Sequence, residues 1–431
     1  MPISPSGRLT RPLRRLTGAL LLVAGSMAPV AAGEFFPAGD GSDTNNADLL
    51  GDPAISCASC ASAVPAEWDA PPFDLDWSLA LRGAYVNTAA GSYLQGVAAP
   101  SVTLTREFLR GGFEVTADAE ISRSTIENFR IGAVRLGASG TYQLDEATGL
   151  AGNLDLAITR DSVASLGSSP TILRKPLTLS GSADGSITHA FGAFVVTGSL
   201  NASRTMYEPT LLVGPVVQDN GHQNNWVAGG GLRLGYRVTP ILTAFIDGSA
   251  AYQTYDAPSP TYLVKLDAYD LEGRVGLSGA WGSVWEAEAS VGYGMRRFVD
   301  PSLGQAGALL TDASVTFRPN ETLELVGALT TTFDAPGADT LGYARLRQAV
   351  SGDLRYRVNP WLSLRASADA YNSQLIGTAS TERGVGAGLG ADYLLNEHTT
   401  LSADYAYAWR EANPNPAEDE HRVTLGVTFS R

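Results

Sequence analysis

The residues of this chain best able to do chemistry are charged side chains that recur at every second position. Glu114, Asp118 and Glu120 share one register, Asp270, Glu272 and Arg274 share another, and Glu286 and Glu288 form a third set. Arginines gather later, at Arg345, Arg347, Arg355 and Arg365. On the inner wall of a wide structure, these sets could form opposed acidic and basic walls whose field orients a charged or sugar-like solute. The plainer alternative is that neighbouring strands satisfy one another's charges. Acid–base catalysis is a weaker reading, because carboxylates in a hydrated cavity lack the burial that tunes proton affinity. Histidine offers no base either: His189 and His398 fall in short turns, His222 in a long connection, and His421 shares the register of apolar Val423. No His or Cys cluster has metal-ligand spacing, so neither a metal nor any other cofactor is implied, and the chain does not read as an enzyme. The pair Cys57 and Cys60 reads as a local disulfide, since a redox pair would be expected beside a βαβ pattern that is missing here.

The elements that must position these charges are strands. In GFEVTADAEIS, Phe113, Val115, Ala117, Ala119 and Ile121 fall on one face and Glu114, Thr116, Asp118, Glu120 and Ser122 on the other. The same period of two recurs in LTLSGSADGSI, VWEAEASVGYGM and LSADYAYAW. Such segments number about eighteen, each longer than the roughly 9–11 residues needed to cross a bilayer. Short connections (FLRGG, LDEATG, HAFG, VTPI, AWGS, RPNE, VNPW, LLNEH) alternate with longer ones such as 162–174, 208–224 and 411–418. This predicts an all-β fold: an antiparallel up-and-down transmembrane barrel with short periplasmic turns and longer extracellular loops. The TLLVGPVV stretch within 208–224, too apolar to wave freely, is expected to extend a hairpin, the alternative being a fold into the mouth as a constriction. Aromatic residues test the face assignment. On the apolar register, Tyr142, Tyr236, Trp285, Phe317, Tyr356, Tyr393 and Phe429 stand by the short turns, and Tyr85, Trp226, Tyr252, Tyr269, Tyr293, Phe333 and Trp409 by the long loops.

Bulk composition agrees. Hydrophobic residues make up 44% of the 431 and charged residues 17%, too apolar for disorder, yet no apolar run is long enough for a spanning helix. Residues 1–32 read as an export signal, with Arg8, Arg11, Arg14 and Arg15 before an apolar stretch and a small-residue end at Ala31 and Ala32. Cleavage is expected after Ala32, leaving a flexible periplasmic segment at 33–71 and a barrel at 72–431. Losing four arginines and no acids takes the charge from −14 to −18. An acidic chain with two lysines, Lys175 and Lys265, is a poor ligand for phosphate backbones, so nucleic acid is excluded as a partner.

Several segments, notably RLGYRVTPILTAFIDGSAAYQTYD, ASVGYGMRRFVDPSLGQAGALLTDASVTFRPNETLELVGALT and the closing HRVTLGVTFS, resemble the outer-membrane β-barrel proteins of the second putative β-barrel porin family. The resemblance covers most of residues 73–429 and implies a pore in the outer membrane of a Gram-negative bacterium, embedded in its lipid. In such barrels the last strand is similar to a docking signal for the barrel-assembly machinery, a role carried here onto Val423, Leu425, Val427 and Phe429. Passive passage of hydrophilic solutes is the expected function. The alternatives are an exit port for a secreted polysaccharide, with a periplasmic export partner docking on the turns or the N-terminal segment, and a surface adhesion barrel. If the two faces are as assigned, Arg347→Glu should alter ion selectivity with little loss of folding, whereas Leu325→Arg should cost about 2–4 kcal/mol if it lies near the midplane.

Overall fold

The computed structural model describes residues 73–431, except 90, 166–167, 170, 215, 335–341 and 414–415. The expected export signal (1–32), the segment 33–71 and the pair Cys57 and Cys60 lie outside the described residues.

Period-two patterning becomes strand almost throughout. The elements, in chain order, are β1 (Asp74–Thr88), β2 (Gly91–Phe108), β3 (Gly111–Ser124), β4 (Arg130–Gln143), β5 (Thr148–Thr159), β6 (Ile172–Arg174), β7 (Thr178–Phe191), β8 (Phe194–Tyr207), β9 (Thr210–Leu212), β10 (Val216–Gln218), β11 (Asn225–Thr239), β12 (Leu242–Tyr255), β13 (Ala268–Trp281), β14 (Trp285–Phe298), β15 (Gln305–Asn320), β16 (Leu323–Asp334), β17 (Ala344–Asn359), β18 (Leu362–Ile376), β19 (Thr381–Asn396), β20 (Thr399–Ala412) and β21 (Glu418–Ser430). All but β6, β9 and β10 belong to one antiparallel sheet of 18 strands, in which each strand pairs with its sequence neighbours. The sheet closes on itself where β1 pairs with β21, from Ser78 opposite Ser430 to Thr88 opposite Glu420. Arg431 continues the seam, its N–H donating to the Trp77 carbonyl at 3.1 Å. The two residues that follow Phe429 are thus held in the seam.

Local chemistry fixes the turns. The Asn320 side-chain oxygen accepts the N–H groups of Thr322 (2.9 Å) and Leu323 (3.0 Å), and Asn359 does the same for Trp361 and Leu362 (both 2.9 Å). Asn396 accepts the N–H of His398 at 2.9 Å, so RPNE, VNPW and LLNEH are one device in which an Asn side chain replaces a backbone turn partner. At HAFG and AWGS the turn instead needs a left-handed residue, supplied by Gly192 (φ 61°) and Gly282 (φ 64°).

The eight short turns share one end of the barrel with both ends of the described chain, and the longer loops cluster at the other. The loop 208–224 does form strands, but not by lengthening its parent hairpin: β9 pairs with β10 and also with β6 from the loop before it, making a separate three-stranded sheet. Other loop residues pack against the inner wall. Ala164 lies on Ala84, Val86 and Tyr93 of β1 and β2. Leu303 and Tyr343 pack with Ile376 on Ala268, Phe298 and Ala344, and the Tyr343 ring stands edge-on to Phe298 and to Tyr262. These two apolar islands narrow the loop end.

The apolar register faces outward. Of the fourteen aromatics on it, Phe317, Phe333 and Trp409 are half-buried and the others are exposed. Among the described residues no helix is long and apolar enough to span a membrane. Leu325 is outward but only the third residue of β16, near the turn end, whereas Leu389 sits mid-strand on β19 and is 61% exposed. We therefore expect Leu389→Arg to cost about 2–4 kcal/mol and Leu325→Arg only about 0–1 kcal/mol, read from equilibrium urea unfolding in lipid vesicles.

Candidate lumenal site

Side chains opposite to the lipid register point into the barrel. On β3 these are Glu114, Asp118 and Glu120; Arg135 of the adjacent β4 donates to Asp118 at 3.1 Å. On β13 they are Asp270, Glu272 and Arg274, and Arg274 bridges Glu272 (2.8 Å) and Asp312 of β15 (2.6 Å). Asp270 pairs with Arg296 of β14 at 3.1 Å; Arg296 is fully buried and also donates to Gln253. Glu286 and Glu288 project from the turn end of β14. Glu288 accepts two hydrogen bonds from Arg233 of β11, at 3.0 and 2.7 Å, although two strands lie between them.

Glycine makes that reach feasible. A Cβ at Gly276 would collide with the Phe245 ring, so Phe245 lies flat across β13. Arg233 stacks on that ring, its guanidinium carbon 3.4 Å from the centroid, and extends over it to Glu288. The inner face of β19 repeats the device. Gly384, Gly386, Gly388 and Gly390 follow one another there; Tyr371 lies over Gly384, and Arg365 with Asp404 over Gly390. Arg365 binds Asp392 at 2.7 Å and Asp404 at 2.8 Å.

The arginines do not form a continuous basic wall. From the loop end of β17 the inward residues are Arg345, Arg347, Ala349, Ser351, Asp353, Arg355 and Arg357. Arg345 is buried, and Arg347 lies 4.2 Å from the centroid of Tyr371. The Tyr371 hydroxyl donates to Glu382, which also accepts from Arg410 at 3.0 Å. Arg347→Glu would thus set a carboxylate close to Glu382 and disturb this cluster, so exposed Arg355 is the better probe of selectivity. Opposed walls give way to acidic residues around the middle of the barrel: Asp118, Glu120, Asp155, Asp184, Asp247, Glu272, Asp312, Asp353, Asp369 and Asp404. Among the described residues Arg82, Arg135, Arg233 and Arg274 stand near that level, and Arg365 reaches it through Asp404. Glu120, Asp155, Asp184, Asp353 and Asp369 make no ion pair among the described residues. β5 and β7, which carry Asp155 and Asp184, lie half-way round the ring from β17 and β18, which carry Asp353 and Asp369.

Composition-led reading singled out dense charge motifs and passed over Asp155, Asp184, Asp353 and Asp369, which stand alone among small residues. Their strand parity was the signal that could have found them. The histidines offer nothing in the lumen: His189 bonds Thr148 at the turn end of β7, His398 lies in a turn, His222 in a loop, and His421 is outward against Tyr405 and Asp419. Among the described residues no group could hold a metal ion. Val423, Leu425, Val427 and Phe429 all lie on the lipid face of β21.

A family model described as "Putative beta-barrel porin 2" matches residues 82–431. No curated protein matches in sequence. Solved structures with similarity to the chain include three from Pseudomonas aeruginosa. OccK5 (OpdH) is 14% identical with a TM-score of 0.41, over 83% of this chain and 98% of that one. OpdK with vanillate is 10% identical with a TM-score of 0.44, over 83% and 99%. OccK2 (OpdF) in complex with glucuronate is 12% identical with a TM-score of 0.43, over 83% and 98%.

Removing Arg274 would leave Glu272 and Asp312, both largely buried, facing each other without a cation. A fully buried pair broken this way costs about 3–5 kcal/mol. With lumen water nearby we expect Arg274→Ala to cost about 1–3 kcal/mol and Asp155→Asn to cost close to nothing, measured by urea unfolding in vesicles.

Proposed function

The chain belongs to the family of putative beta-barrel porin 2 and is an outer-membrane β-barrel, and from that premise we propose that it is a passive channel for small hydrophilic solutes with a preference for cations. The observation that carries this reading is the excess of carboxylates over arginines at mid-barrel, with Asp155, Asp184, Asp353 and Asp369 making no ion pair among the described residues. An 18-stranded barrel is too wide for side chains to fill and encloses water. In a low-dielectric wall a ring of carboxylates lowers the energy of a passing cation and raises that of an anion. Glu114, Asp118, Glu120, Asp270, Glu272, Arg274, Glu286, Glu288, Arg355 and Arg365 then line or brace the channel, while Arg345 and Arg347 brace its loop end. The short turns and termini face the periplasm and the longer loops face outward, after removal of residues 1–32 and with 33–71 preceding the barrel. The lipid-facing row Val423, Leu425, Val427 and Phe429 presents itself to the assembly machinery. No observation favours a polysaccharide exit port or an adhesin.

The test is the reversal potential of single channels across a potassium chloride gradient. Wild type should favour potassium severalfold. Asp155→Asn with Asp184→Asn should move selectivity toward neutral, and Arg355→Glu should move it the other way. Anion preference in wild type, or no response to the acidic substitutions, would overturn the cation reading.

A further inference from the structure

On the lipid face of β11 to β13, small residues stand where the barrel leaves room for larger ones. Gly248 is opposite both Leu232 and Gly273, whereas at the neighbouring Gly230 the Leu200 side chain already takes the space, 3.1 Å from where a Cβ would stand. A Cβ on Gly273 would meet nothing within 4 Å, and one on Gly248 would come no closer than 3.7 Å to the Glu272 carbonyl. Neither glycine has a left-handed backbone. Glycine weakens a strand and forgoes lipid contact, so a lipid-facing glycine that its own barrel does not require leaves room for close approach from outside. Around this floor Leu200 (74% exposed) and Leu232 stand proud and, with Tyr293, whose ring lies over Gly307, border an open groove of about 720 Å³.

A second feature lies directly above the groove, toward the loop end. Tyr252 and Tyr269 stack with centroids 4.8 Å apart, and Arg297 is in register beside them. Trp226 follows, with Arg204 5.3 Å from its ring and held by two hydrogen bonds to Asp256. Arg297 is exposed on the lipid register and makes no ion pair among the described residues. Lys265, one of two lysines in an acidic chain, is exposed in the loop above. Apolar groove, an aromatic band with Arg297 at its level, and Lys265 in the loop therefore succeed one another toward the loop end, as acyl chain, interface and phosphate do in a lipid.

We propose that the outer face of β8 to β14 binds a phosphorylated, acylated lipid of the outer leaflet, one chain lying over Gly248 and Gly273 and the phosphate reaching Arg297 and Lys265. A second copy of the chain is the poorer occupant. A two-fold dimer in a membrane would bring the same cations face to face at the same depth. The proposal does not depend on what the lumen conducts.

Native mass spectrometry of the mature barrel, titrated with diphosphoryl lipid A or with phosphatidylcholine, tests it. One lipid A should be retained in preference to phosphatidylcholine. Gly273→Leu, which fills the groove, and Arg297→Glu, which removes the cation, should each weaken retention about 10-fold. The heat-dependent shift in SDS electrophoresis of the refolded barrel, which reports that both variants fold, should match the wild type. Equal retention of the two lipids, unchanged retention in both folded variants, or a dimer in place of a lipid adduct would overturn the proposal.

Discussion

Every backbone N–H and C=O at membrane depth must find a partner within the protein, because hydrocarbon offers none. This requirement governs the structure. A sheet meets it only by closing, and here closure rests on the pairing of β1 with β21 and on the bonds between Trp77 and Arg431. Once the first and last strands are joined, every strand has two neighbours, and each residue must face either lipid or lumen.

Function follows from that forced division. Lipid-facing positions hold leucine, valine and interfacial aromatics, while the other register is free to carry charge. The lumen does not hold its charges as isolated groups. Long side chains lie flat along the wall where a neighbouring strand offers glycine, as Phe245 does over Gly276 and Tyr371 over Gly384. Arginine can then reach across several strands to a carboxylate, which braces the wall without filling the channel. In the proposed channel the carboxylates left over at mid-barrel set the sign of the interior.

Much of this was legible in the sequence, for a physical reason. A period of two is rigid, so the parity of one residue such as Val115 fixes the face of every other residue on β3, and turn residues such as Asn359 announce themselves by chemistry. Strand count, turn positions and the outward aromatics were accessible in this way. Lateral relations were not, because they depend on register between strands. Nothing in the sequence says that Arg233 reaches Glu288, or that Asp155 faces Asp353 across the lumen. The arginine-rich β17 looked like a wall only because its spacing was read without its height, which puts Arg347 among loop-end side chains and Asp353 in the middle.

The most direct test of the account is single-channel conductance of the refolded mature protein in a planar bilayer. A water-filled lumen predicts steady steps that grow in proportion to salt concentration. Absence of conductance by a correctly folded barrel would contradict it and place a plug where we describe a passage.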